Sequence, residues 1–329
     1  MELLQWVRIG VLVLCFGGAA WLDHKTRRVS NEWWWTWAKP TLFLLCLELL
    51  VLEANWMIWL TASAAVAFAS TALIGVPDIS DIKRGSMLDI FVTIWYFVSG
   101  IGLVMGAMEY TPVLLDYFDN AYLDTSTPVV QSALLWGQMM IMGAVLVFFE
   151  MAWRFRMLHG GADAKAMMLA TLLLPAWSGA AYPIYSSSEG YTVSIPPALS
   201  LMIWAGFAFL ILPLIMIFRN IRSGDLMPLS MSWHASRMPL TEIPKKHVWL
   251  LEEMVDKPDG TRGITRRMRP VRGSRAETEV EAVIEELKAE GQNKAWVTAK
   301  HPFLLFVFPA IIPLIVWGDP IAFLFGLFG

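Results

Sequence analysis

Hydrophobic positions along this chain are gathered into eight long runs separated by polar breaks. They cover residues 3–22, 33–52, 56–76, 90–108, 128–153 and 166–181, then from the Pro196-Pro197 pair to 218, and 302–317, with a short apolar tail at 321–328. A helix needs ~20 mostly apolar residues to cross the hydrocarbon of a bilayer. The pattern predicts an all-α polytopic membrane protein with about eight transmembrane helices and a small cytosolic α/β appendage. Arg8 is the only charge in the first run, and Trp33-Trp34-Trp35 with Trp37 opens the second. Such a cluster predicts a place in the headgroup belt.

The appendage is the polar stretch 219–301. His247-Val248-Trp249-Leu250-Leu251 reads as a strand, Pro258-Asp259-Gly260 as a turn, and Ala295-Trp296-Val297-Thr298 as a second strand. Ser274 is placed to cap a helix through Glu290, with Val280, Val283, Ile284 and Leu287 on one face and Gly291 as its stop. Eighty-odd residues make a small core, so a subdomain resting on the membrane part is expected. The division is then 1–218 as membrane core, 219–301 as subdomain and 302–329 as a last helix, with extra spans within 77–129. Arg266-Arg267-Met268-Arg269-Pro270-Val271-Arg272 predicts a solvated loop facing anionic lipid.

Composition agrees: 57% of the 329 residues are hydrophobic and 16% charged, with a mean hydropathy of +0.54. A net charge of -3 gives no reason to expect nucleic acid as a partner. Cys15 and Cys46 both fall inside apolar runs, so neither a disulfide framework nor a metal spacing is visible. Gly17-Gly18-Ala19-Ala20 would suit signal-peptide processing, but Glu2 spoils the basic leader region and more spans follow. Basic residues set the orientation. With the loop after the first span inside, alternate loops hold twenty-three of the twenty-five Lys and Arg, and the outside loops hold none. This predicts a multi-pass protein of the cytoplasmic membrane with Asp23 and Asp163 on the same, cytoplasmic side.

Two acids then stand out. Asp163 lies in His159-Gly160-Gly161-Ala162-Asp163-Ala164-Lys165 between two runs, and Asp23 closes the first run. A charge at the middle of a span costs ~2.5–3.5 kcal/mol on insertion scales, so an acid held at or inside the boundary is a functional candidate. Two carboxylates held close share one proton. The ionised one can take a proton from an attacking water, and the neutral one can stabilise the oxyanion and feed the leaving amine. Taken singly, Asp23 could be an interfacial acid offset by Lys25, and Asp163 an N-cap-like residue.

Asp23-His24-Lys25-Thr26-Arg27-Arg28-Val29-Ser30-Asn31, with Gly160-Gly161-Ala162-Asp163-Ala164-Lys165, resembles the archaeal preflagellin (archaellin) peptidases. These belong with the type IV prepilin peptidases among the GxGD membrane aspartyl proteases. Phe218-Arg219-Asn220-Ile221, Trp296-Val297-Thr298 before Pro302, and Gly318-Asp319 extend the resemblance, which covers the first two spans and about 132 onward. It implies that Asp23 and Asp163 form the catalytic pair, with Gly160, Gly161, Ala162, Lys165, Lys25, Arg27 and Asn31 as motif support. It also implies an archaellin- or pilin-like precursor as partner, with a basic leader cut from a hydrophobic helix at the cytoplasmic face, and no metal or other cofactor. Ala162 stands where the family name has its second glycine. Residues 77–127 look like an insertion, since typical members have six spans.

His24 and His159 flank the motifs, but no metal-ligand spacing accompanies them. Asp78, Asp81 and Asp89 form an acidic loop that could hold a basic leader by charge complementarity; the plain alternative is a solvated loop with Ser86 or Asp89 capping the next span. Two rivals remain. A presenilin-like GxGD protease usually has Tyr before its first Asp, where this chain has Leu22. A transporter or assembly scaffold predicts acids deep in the spans, where only Glu48 and Glu150 qualify.

Overall fold

The computed structural model describes residues 2–76, 78, 80, 83, 85–119, 127–158, 160–177, 195–256, 262–271 and 273–328. Asp81, His159, the Pro258-Asp259-Gly260 turn and Arg272 lie outside them. The chain is mostly helical: α1 (Glu2–Thr26), α2 (Asn31–Val51), α3 (Trp56–Ile74), α4 (Met87–Asp119), α5 (Pro128–Arg154), α6 (Gly161–Leu173) and α7 (Pro197–Ser223) precede a strand-bearing segment. After α8 (Val280–Ala289) within that segment come α9 (Leu304–Trp317) and α10 (Pro320–Phe328). Two compact units result, 1–205 with 303–329, and 206–302.

Among the described residues five helices (α1, α3, α4, α5 and α7) are long and apolar enough to cross a membrane. The count rises to six if α9 and α10, bent by 56° at Gly318-Asp319, act as one broken span. This is a multi-pass architecture, but the eight expected spans are not all matched. The second run becomes α2, whose 21 residues carry Glu32, Lys39 and Glu48. The sixth run stops after the 13 residues of α6, because Pro175 cannot continue a helix and restricts Leu174 before it. The fourth run, by contrast, extends past Pro112 to Asp119. Tyr110 is buried there and its hydroxyl accepts from Asn55 Nδ2. Asn55 also caps α3, its Oδ1 accepting from the N–H groups of Met57 (3.1 Å) and Ile58 (3.2 Å).

The tryptophan cluster is not a simple headgroup belt. Trp33 lies against Gly18 of α1, where a Cβ would sit 2.4 Å from its ring, so only glycine permits the approach. Trp34 is buried, and only Trp35 of the three is well exposed. At the far end, Gly318 (φ 69°) breaks the chain between α9 and α10. Asp319 Oδ1 accepts from Ile321 N (2.8 Å), and its Oδ2 from Ile195 N (2.5 Å). Gly318-Asp319 is thus a helix break and a cap.

In the unit 206–302, β1 (Ser236–Pro239), β5 (Lys294–Ala299) and β2 (Val248–Leu250) form an antiparallel sheet in the order β1-β5-β2. Val283, Ile284 and Leu287 of α8 join Leu250, Met254 and Val297 in its core. The expected helix from Ser274 is split into one turn at Arg275–Thr278 and then α8, and Gly291 (φ 79°) ends it as expected. A hairpin of β3 (Glu252–Asp256) and β4 (Arg262–Arg266) was not expected. The two acids that open it are buried in ion pairs: Arg266 Nε donates to Glu252 Oε1 (2.7 Å), and Arg267 pairs with Glu253. The first half of the basic run is therefore committed to the fold. Asn220, fully buried, ties the end of α7 to this unit by donating to the carbonyls of Ser232 (2.8 Å) and Ala235 (2.7 Å).

Within the apolar bundle Arg8 of α1 is fully buried and donates to Glu48 Oε2 (2.7 Å) and the Leu44 carbonyl (3.1 Å) of α2. Breaking a buried pair by removing one member is far worse than replacing both. Arg8→Met alone is expected to lower stability in detergent by about 3–5 kcal/mol. The double variant Arg8→Met/Glu48→Met should recover most of that loss in the same thermal-unfolding measurement, and a double variant as unstable as the single one would refute the pair's role.

Candidate active site

The last turn of α1 and the first turn of α6 meet at one end of the bundle. Helix α1 stops where Arg27 enters the left-handed region (φ 58°) while its N–H donates to the Asp23 carbonyl (3.0 Å). Thr26 Oγ1 lies 2.8 Å from the Leu22 carbonyl and 2.9 Å from that of Arg28, which closes the turn. Asp23 is thereby held half-buried one turn from the helix end. His24 and Lys25 are exposed, Arg27 is half-buried, and Arg27 and His24 lie within electrostatic reach of the Asp23 carboxylate.

Asp163 sits in the first turn of α6, behind Gly160 as N-cap, and ahead of the 166–181 run. Its N–H donates to the Gly160 carbonyl (3.1 Å), and its carboxyl folds back over the cap. A Cβ on Gly160 would lie 2.6 Å from Asp163 Oδ2. Absence of a side chain at Gly160 is what leaves room for the carboxyl. Gly161 packs on the Trp153 ring of α5, and Ala162 is half-buried. Trp153 was not singled out from the sequence, where it is one more aromatic at the end of a run.

Burial pushes the Asp163 carboxyl up to about 7. The negative charge of Asp23 pushes the same way, and a hydrogen bond from the Gly160 backbone opposes both. The charge of Asp23 thus reaches Asp163, 140 positions away in the chain. A second tie joins the same two segments: Lys165 Nζ donates to Asn31 Oδ1 (2.7 Å), linking the first turn of α6 to the first of α2. Chemically, two coupled carboxylates of which one stays neutral near pH 7 can act as base and acid on one water.

The other acids are engaged locally. Asp78 accepts from the N–H and the hydroxyl of Ser80, both at 2.9 Å, which hold its carboxyl below the usual range. Asp89 Oδ2 accepts from Ser86 Oγ (2.5 Å) at the start of α4. In the spans, Glu48 holds Arg8 and Glu150 holds Arg154 (2.7 Å). Among the described residues no three His, Cys, Asp or Glu converge as a metal ion would require.

Two half-buried carboxyls thus stand together at one end of an apolar helix bundle. Residues 227–320 match a family model described as Archaeal Peptidase A24 C-terminus Type II. The match supports the resemblance to archaeal preflagellin and prepilin peptidases, and it spans the sheet-bearing segment and α9 while leaving Asp23 and Asp163 outside. No curated protein matches the chain.

Asp23→Asn removes a negative charge that raises the Asp163 titration. The midpoint of Asp163, followed by isotope-edited infrared spectroscopy, should fall from about 7 toward the ordinary carboxylate range without reaching it, since burial persists. An unmoved midpoint would mean that the two groups do not feel each other.

Proposed function

We propose that this chain is a membrane-embedded aspartyl endopeptidase of the GxGD type, which removes a short basic leader from archaellin- or pilin-like precursors. The observation that carries the reading is the coupling of Asp23 to Asp163, with Asp163 raised to about 7. At neutral pH one proton is shared by two carboxyls. Asp23 in its ionised form removes a proton from water as that water attacks the scissile carbonyl. Asp163 in its neutral form hydrogen-bonds the developing oxyanion and then protonates the leaving amine. Partial burial strengthens both interactions.

In this reading the site faces the cytoplasm, where the basic loops lie, and α2 and α6 complete the passes with help from their neighbours. Arg8 and Arg154 neutralise the acids that a proton-carrying transporter would need free, which supports hydrolysis over transport. Asp78 accepts from Ser80 and Asp89 Oδ2 from Ser86, so the reading does not extend to them as leader contacts.

Asp23→Asn and Asp163→Asn should each slow leader removal from a synthetic precursor by about 10²–10⁴-fold, with normal protein levels in the membrane. Unaltered cleavage by either variant would end the proposal. Gly160→Ala should also impair cleavage, because its methyl group displaces the Asp163 carboxyl. The wild-type rate should fall as pH rises through about 7, where the group that must donate a proton becomes ionised. A rate that climbs across this range would assign the acid elsewhere. The limbs of such a profile belong to the pair rather than to either residue.

A further inference from the structure

On the side of α6 turned away from Asp163 the bundle is hollow. At 3.6 residues per turn, Lys165, Met168, Leu169 and Leu172 fall on one face, roughly 190° round the helix from Asp163. These residues line a cavity of about 190 Å³. Trp34 and Trp35 of α2, Leu73 of α3 and Trp95 of α4 close its other walls. Lys165 of α6, Trp34 and Trp35 of α2 and Leu73 and Ile74 of α3 place one side of it at the end of the bundle where Asp23 and Asp163 lie.

Lys165 is the only charged residue of this lining. Its ammonium has three donors, one of which goes to Asn31. No carboxylate stands within ion-pair distance of it among the described residues. Trp34, 2% exposed, lines the same cavity. Apart from Lys165 and the Ser70 hydroxyl, which bonds the Ala67 carbonyl, the lining is made of apolar and tryptophan side chains. The complement is an amphiphile with an acceptor-rich anionic head and a hydrocarbon chain. A helix is ~10–12 Å across, and pockets for compact ligands run ~300–1,000 Å³, so the cavity suits a single flexible chain. A basic leader peptide would be repelled by Lys165.

We propose that this cavity binds one chain of an anionic membrane lipid, with the lipid phosphate held by the Lys165 ammonium at its edge. Lys165 is two residues from Asp163 on the same helical turn, so an occupied cavity braces the N-terminus of α6 from behind. The proposal stands apart from the peptidase reading and is tested without any activity measurement.

Native mass spectrometry of the full-length protein, titrated with phosphatidylglycerol or with phosphatidylcholine of the same chains, decides it. The wild type should retain the anionic lipid about fivefold more tightly, the scale of one lysine–anionic lipid contact. Lys165→Gln should erase the preference and Lys165→Arg keep it. Ala38→Trp, which fills the cavity from α2, should reduce retention of both lipids while circular dichroism shows unchanged helix content. Equal retention by the wild type, or a preference that survives Lys165→Gln, would overturn the assignment. So would displacement of the anionic lipid by inorganic phosphate, which would mark a free-anion site, or by a precursor's apolar helix, which would mark a substrate groove.

Discussion

Two carboxyl groups that share a poorly hydrated spot cannot both be charged near neutral pH. At one end of the bundle burial and the Asp23 charge bring Asp163 close to that condition. Asp23 is delivered by a helix that ends one turn later, at the left-handed Arg27. Asp163 is delivered by a helix that begins three residues earlier, at a glycine cap with no side chain in the way. Neither helix has to bend to bring its acid forward, because each presents it at a terminus.

The Asn31–Lys165 bond (2.7 Å) restrains this meeting. It joins the segment after α1 to the helix that carries Asp163, close to the coupled acids but not part of them. An exposed bond of this kind adds little to global stability. Its effect is local, fixing how two helix starts face each other. The lysine then has donors to spare on the side away from the acids, and the proposed lipid site uses them.

Much of the site was legible in the sequence because charge is conspicuous among apolar residues. Asp23, Asp163, Lys165 and Asn31 stood at the ends of hydrophobic runs, and the structure draws these segments together. What was hidden had physical reasons. The β3–β4 hairpin begins Glu252-Glu253, which reads as solvent-facing until Arg266 and Arg267 neutralise both acids. Trp34 resembled its neighbours in the belt, but helical geometry turns it inward while Trp35 faces out. Hydropathy carried the sixth run through Pro175, where backbone chemistry stops the helix. The Arg8–Glu48 pair was invisible because its members lie 40 positions apart in different runs.

That pair also constrains how the protein reaches its membrane. Either residue entering the bilayer by itself carries an insertion penalty of ~2.5–3.5 kcal/mol, whereas the two together offset each other. With α2 completing a pass, as in the proposed reading, the first two helices are best delivered as a preformed hairpin rather than one after the other. Such co-insertion commits the intervening turn, with Asp23 just before it, to its side of the membrane before the rest of the chain has been synthesised.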